Sequence, residues 1–357
     1  MKRIALPLLA LLLLLASCGS PQGTVTAPPD EAPAVPEGLE RYTASFLDVF
    51  DTMTNIVGYA ESEAAFSEAV SGIHDELVEY HRLYDIYNEY EGINNLKTVN
   101  DNAGGEPVEV DQRIIDLLVF AREMYEATGG KTDVALGAVL RIWHDARETA
   151  INDPSAAYVP TEEELEAANE HTDFGSIIID EANGTVQITD PGASIDVGGI
   201  AKGYAVEMAS RDAAPYMLLS VGGNVCSTGP KPEGDGVWVV GIESPDALGS
   251  TSEFLHTLNI TDLCVVTSGD YQRFYEYDGV RYHHIIDPDT LFPPRYWRSV
   301  TILCGDSGIA DALSTALFCM TQEDGQALLD EFGAEAMWVM TDGEMSYSPG
   351  FKQYIRS

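Results

Sequence analysis

The chain has 357 residues, 45% of them hydrophobic, and carries 58 Asp and Glu against 19 Lys and Arg, for a formal net charge of −39. Such a field repels nucleic acid, and an anionic small ligand can settle in it only where cations or a metal are focused. The length suffices for one large or two intimate domains with a sizeable core.

The N-terminus reads as a processing signal. Lys2 and Arg3 precede an apolar run from Ile4 to Leu15 that is too short to span a bilayer as a mature helix. It ends in Leu15-Ala16-Ser17-Cys18, the pattern of a bacterial lipobox, in which the chain is cut before a cysteine that then carries lipid. Residues 1–17 are therefore expected to be a lipoprotein signal peptide. Residues 18–40 hold Pro21, Pro28, Pro29, Pro33 and Pro36 among small polar residues, a composition that cannot form a core and predicts a disordered, lipid-anchored tether. Residues 41–357 are the working domain, held at the cell membrane and facing outside the cytoplasm.

Within that domain, Phe46 to Tyr59 reads as a strand region. Ala65, Phe66, Ala69, Val70, Ile73, Leu77 and Tyr80 recur at helical spacing over 62–84, with Ser62 as N-cap. A polar stretch runs to Gly105. Asp111 caps a second helix that Gly129-Gly130 stops, and further helices are expected over 133–145 and, as an acidic surface segment, 161–171. Asn183-Gly184 between Ile177–Ile179 and Val186–Ile188 signals a hairpin. Beyond it come a helix over 200–213 and strands at 217–221 and near 237–243, 254–259, 263–267 and 281–286. A strand at 299–304, helices at 308–320 and 322–332 and a strand at 336–340 finish the chain. Mixed order without strict alternation favours α+β, with helices packed on mixed sheets. Cys226, Cys264, Cys304 and Cys319 each sit in an apolar run and form no metal-ligand spacing. In an exported chain the four could pair in three ways, but their apolar settings favour buried free thiols.

The segment most telling about chemistry is Asp196-Val197-Gly198-Gly199-Ile200-Ala201-Lys202-Gly203. An apolar strand delivers an acid, two glycines and then a lysine in the first turn of a helix, an arrangement whose N–H groups and positive charge suit a phosphate. Asp311 and Thr315 lie four apart on a helix, so both oxygens face one side and offer part of a Mg2+ shell. His283 and His284 point to opposite faces of a strand, so at most one serves a given site as general base. Asp133 opens a helix after Lys131-Thr132, and Ser220-Val221-Gly222-Gly223-Asn224 ends a strand in glycines that permit close backbone approach.

In order and spacing, these segments resemble the ApbE family of flavin transferases. The resemblance runs from Phe46 to Met340 and is carried by IDVGGIAKGYAVE, LLSVGGNV, VTSGDYQRF, HHIIDPDT and IADALSTALF. It implies an ApbE-like (T-fold-like) architecture and an FAD:protein FMN transferase. In that reaction Mg2+ assists the transfer of FMN from FAD to a Thr or Ser hydroxyl of an acceptor protein, releasing AMP. The acceptor would be a redox-pump subunit or an exported flavoprotein. By position, Asp196 and Lys202 fall on FAD-binding residues, and the Gly199 backbone, Asp311 and Thr315 on metal ligands. Lys131, Thr132, Asp133 and Ile286 fall on flavin or adenine contacts, and His284 on the histidine of the H-x-I-D-P stretch, where it would be the base. The sequence departs from the family where Phe50-Asp51-Thr52 replaces Met-Gly-Thr, where Leu291 replaces the glycine of D-P-x-T-G, and where Trp143-His144-Asp145-Ala146-Arg147 replaces a more usual Trp-Gly-Phe. Water in place of the acceptor hydroxyl would make the same site an FAD pyrophosphatase. A flavin-storage lipoprotein without turnover is the reading from outside the enzymes.

Overall fold

The computed structural model describes residues 38–246 and 254–356; the predicted signal peptide and nearly all of the tether lie outside them. In chain order the elements are β1 (Glu40–Val49), β2 (Thr52–Ala60), α1 (Glu63–Tyr84), α2 (Leu96–Asp101), β3 (Val108–Glu109), α3 (Gln112–Ala127), α4 (Gly137–Asn152) and α5 (Glu162–Asn169). Next come β4 (Ile177–Asp180), β5 (Thr185–Ile188), α6 (Ala201–Arg211), β6 (Met217–Val221), β7 (Asn224–Ser227), β8 (Trp238–Glu243) and β9 (Phe254–Ile260). The chain ends with β10 (Cys264–Gly269), β11 (Phe274–Tyr277), β12 (Val280–His283), β13 (Trp297–Cys304), α7 (Ser307–Phe318), α8 (Gln322–Phe332), β14 (Glu335–Met340) and β15 (Met345–Tyr347).

An eight-stranded antiparallel sheet in the order β1-β2-β6-β7-β10-β13-β14-β15 organises the molecule. Period-two alternation along its strands sorts side chains to two faces. Val266, Ile302, Ala336 and Trp338 face the helices, joining Leu77, Leu118, Val206 and Leu313 in the larger core. Val265, Leu303, Met337 and Val339 face the other way, under the β8–β9 hairpin and Phe351. A third cluster packs Trp143 and Val139 of α4 against Leu165, Tyr275, Ile286 and Leu291. The fold is α+β, as expected.

Local chemistry explains most boundaries. Ser62 accepts the Ala65 N–H at the start of α1, and Thr161 and Glu164 form a reciprocal capping box on α5. The strand region expected over 46–59 is a hairpin of two strands, turned by Phe50 (φ 52°) and Asp51 (φ 50°). Two successive left-handed residues make the tight turn that joins antiparallel strands. The helix expected over 133–145 starts later, at Gly137, because Asp133 spends its carboxylate on the Ala135 N–H within a loop. The segment before α6 is extended but outside any named strand. Its register is set by Asn100, which exchanges hydrogen bonds with both backbone groups of Ile195 (2.7 and 2.9 Å), and by the Asp196 N–H donating to the Val134 carbonyl.

The cysteine expectation requires correction. Cys226 and Cys264 lie directly opposite each other on β7 and β10 and form a disulfide, while Cys304 and Cys319 are buried free thiols. Burial in a strand was read correctly; cross-strand register, which sequence does not display, decides the pairing.

Candidate active site

Two helices and the ends of three strands build the site. α6 and α7 cross so closely that a Cβ on Gly203 would lie 2.3 Å from Cβ of Asp311 and 2.4 Å from the Ser307 carbonyl. Only glycine permits this crossing. It lets the Gly203 N–H donate to Asp311 Oδ2 at 2.7 Å. One turn on, the Thr315 hydroxyl donates to the Gly199 carbonyl at 3.3 Å. Asp311, Thr315 and Gly199 are thus brought together. Ser314, between them, bonds the Asp311 carbonyl and the Ser268 hydroxyl of β10, pinning α7 to the sheet.

Lys202 leaves the first turn of α6 and donates to the Gly222 carbonyl at 3.3 Å, beside Asp311. Burial pushes the lysine down and the Asp311 carboxyl up, each partly opposed by the other's charge. Asn224, 1% exposed at the end of the Gly222-Gly223 turn, faces Asp311 with both amide atoms unpaired at normal hydrogen-bonding geometry. A buried unpaired amide beside a buried acid and lysine is a set of polar groups that suits a charged, oxygen-rich ligand.

His284 and Asp196 form the second part of the site. His283 turns inward, its Nε2 2.9 Å from the Pro294 carbonyl and its ring edge-on to Phe318, which leaves His284 on the outer face. Burial, the Arg273 charge and neighbouring His283 and Arg147 hold the His284 imidazole down to about 3, so it is neutral at physiological pH. Asp196 accepts the Gly198 N–H at 2.8 Å; burial raises its carboxyl, and His144, Arg273 and Arg147 oppose that rise. Tyr87, 60% exposed, stacks on His144 with ring centroids 5.4 Å apart. Its loop is fixed by Asp85, which accepts from the Tyr87 and Asn88 N–H groups and from the Tyr90 hydroxyl.

The remaining predicted residues line the approach with their side chains already engaged. Lys131 binds Asp287 at 2.6 Å and Asp289 at 2.8 Å, and the Thr132 hydroxyl donates to the Ala312 carbonyl at 2.7 Å. Ile286 is 4% exposed and belongs to the third core cluster. Asp133 is half-buried with no cationic partner, and burial raises its carboxyl to about 6.

A profile of the ApbE family matches residues 50–338. The chain belongs to the ApbE family. Among its relatives is the FAD:protein FMN transferase of Treponema pallidum, 36% identical over 280 residues that cover 73% of this chain and 75% of that protein. The enzyme of the same name from Vibrio cholerae is 30% identical over 84% of this chain and 85% of its own length. The crystal structure of the ApbE protein of Thermotoga maritima superposes with a TM-score of 0.76 at 31% identity, covering 89% of this chain and all of that one. The flavin transferase ApbE of Vibrio cholerae gives 0.70 at 25% identity, covering 88% and 99%.

Two departures from the ApbE pattern have a structural resolution. Leu291, in place of a glycine, adopts φ 61°, and its strain is compensated by a buried side chain and by the Trp143 indole N–H donating to its carbonyl at 2.8 Å. Asp51, also where the family has glycine, holds φ 50° in the hairpin turn, whose Phe50 N–H donates to His81 at 3.2 Å. Sequence reasoning missed Tyr87 as a site neighbour, while Arg273 lies within VTSGDYQRF, Asn224 within LLSVGGNV and Arg147 within the departing segment, each without an assigned role.

Proposed function

We propose that this ApbE-family chain transfers FMN from FAD to a Thr or Ser hydroxyl of a separate acceptor protein and releases AMP. The observation that carries the reading is the meeting of Asp311, Thr315 and the Gly199 carbonyl beside Lys202 and the unpaired Asn224 amide. Relatives named FAD:protein FMN transferase support it. Carboxylate, hydroxyl and carbonyl are all hard oxygen donors, the set that suits Mg2+, and these three residues would hold it. When bound, the ion supplies positive charge for phosphate oxygens.

The chain's own groups then have separable tasks. Lys202 and the N–H groups at the start of α6 receive the diphosphate, which offsets the repulsion of a −39 chain locally. His284 enters the reaction as a neutral imidazole able to accept the proton of the acceptor hydroxyl. The arriving diphosphate raises its basicity, since a nearby anion favours the protonated ring. Lys131, held by Asp287 and Asp289, and Thr132, held by Ala312, fix the loop that meets the flavin or adenine. The lipobox at Cys18 supports a lipid-anchored enzyme outside the cytoplasm, with redox-pump subunits or exported flavoproteins as its acceptors.

Product analysis tests the reading. With FAD, Mg2+ and an acceptor, AMP should appear in equal amount to flavin covalently bound to acceptor. Equal AMP and free FMN with unmodified acceptor would instead make the chain an FAD pyrophosphatase, and intact bound FAD a storage protein.

A further inference from the structure

Acidic residues outnumber basic ones three to one in this chain, and most of its well-placed cations are spent on them. Arg113, Arg211, Arg298 and Lys131 all sit against carboxylates. Arg273 makes no salt bridge among the described residues, and the nearest carboxylate of Arg147 is its chain neighbour Glu148 at 3.9 Å. Both arginines nevertheless face the site.

Their placement is built. The β11–β12 register pairs Phe274 with His283, so the next step sets Arg273 opposite His284, with the His284 N–H donating to the Arg273 carbonyl at 3.0 Å. Opposed residues project from the same face of a hairpin. Arg147 approaches from α4, half-buried, and donates to Nδ1 of His144 at 3.0 Å, while Tyr87 stacks on the other side of that imidazole. Trp143, one turn before Arg147 on α4, stacks on Tyr282 of the same β11–β12 hairpin with ring centroids 5.8 Å apart, which turns α4 towards Arg273, and burial together with the Arg273 charge pushes Arg147 down. The Arg273 charge is also felt at Lys202 and at Asp196. His144 and Arg147 belong to the segment that departs from the usual Trp-Gly-Phe.

We infer that Arg273 and Arg147 clamp the departing AMP phosphate, with His144 as the residue that positions Arg147. The inference rests on the transfer reading above. In that step the acceptor oxygen bonds to the FMN-side phosphorus and its proton passes to His284. The bond from that phosphorus to the bridging oxygen breaks, and the bridging oxygen keeps the electron pair and leaves on AMP. The terminal phosphate of AMP gains a negative charge as it departs, and paired guanidiniums stabilise such charge through charge-assisted hydrogen bonds.

Calorimetry of AMP and adenosine binding to the full chain in EDTA tests the clamp without turnover. Arg273→Met and Arg147→Met should each weaken AMP about tenfold while adenosine binds as in the wild type. The lysine variants should recover only part of the AMP affinity, because an ammonium lacks the fork. AMP affinity unchanged in both Met variants, equal weakening of AMP and adenosine, or wild-type protein that does not bind AMP would each overturn the clamp. Wild-type protein that binds AMP through the two arginines yet transfers no flavin would leave the clamp standing and remove the transferase reading instead.

Discussion

Asp311 concentrates the chemistry into one side chain. It is 6% exposed, takes one backbone N–H and faces Lys202 and Asn224, so its substitution removes charge from a place where charge is hard to bury. Asp311→Asn keeps the shape and the bond from Gly203. It should lower transfer by on the order of 10²-fold or more with an unchanged far-ultraviolet spectrum; full transfer by this variant would remove Asp311 from the metal shell. Asp133 offers a test of electrostatics away from the reacting atoms. Its folded-state value of about 6 lies above the ordinary 3.8, so the stability gained from its neutral form is complete below about 3.8 and is lost as pH rises through 6. Asp133→Asn should therefore melt higher than wild type above pH 6, and the gap should close by pH 4. At this scale the sequence displayed Asp196, Lys202, His284, Asp311 and Thr315 because their motifs place them. Arg273 and Arg147 stand in quoted segments, but their approach to the site depends on hairpin register and helix packing, as that of Tyr87 depends on loop path.

The crossing of α6 and α7 turns two motifs distant in sequence into one site. It depends on Gly203, whose missing Cβ leaves room for Asp311 and the Ser307 carbonyl. Gly203→Ala should push the helices apart, cost about 1–3 kcal/mol in urea unfolding, and impair transfer beyond what the stability loss explains. Unchanged stability would show that the helices can separate freely. Helix positions were largely legible, since Ser62, Asp111 and Thr161 cap where the apolar periodicity begins. The hairpin turn at Phe50-Asp51 was not, because neither residue is a glycine or asparagine that announces positive φ. Short β7 and β11 were also missed; four residues carry too little alternation to separate strand from loop.

Across the whole molecule, the central sheet holds the site's parts in fixed relation, and the Cys226–Cys264 bond ties β7 to β10 just beyond Asn224. It closes a loop with a sequence separation of 38 residues. A Cys226→Ala, Cys264→Ala variant should lose about 2–4 kcal/mol, and reductant should lower the melting temperature of the wild type alone. Equal sensitivity to reductant in both proteins would contradict that assignment. The overall α+β class and the surplus of acid were readable from composition and element order, whereas the disulfide depended on which strands become neighbours.

The account stands or falls on what happens to an acceptor. Intact-mass spectrometry of a candidate flavin-acceptor domain, incubated with the full chain and FAD, with Mg2+ or with EDTA, reads this directly. The account predicts a gain of one FMN on a threonine or serine with Mg2+ and no gain with EDTA. An acceptor that gains FMN equally in EDTA would contradict the metal site built on Asp311, Thr315 and Gly199. An acceptor known to be flavinylated by a related enzyme but left unmodified under both conditions would contradict the transferase itself.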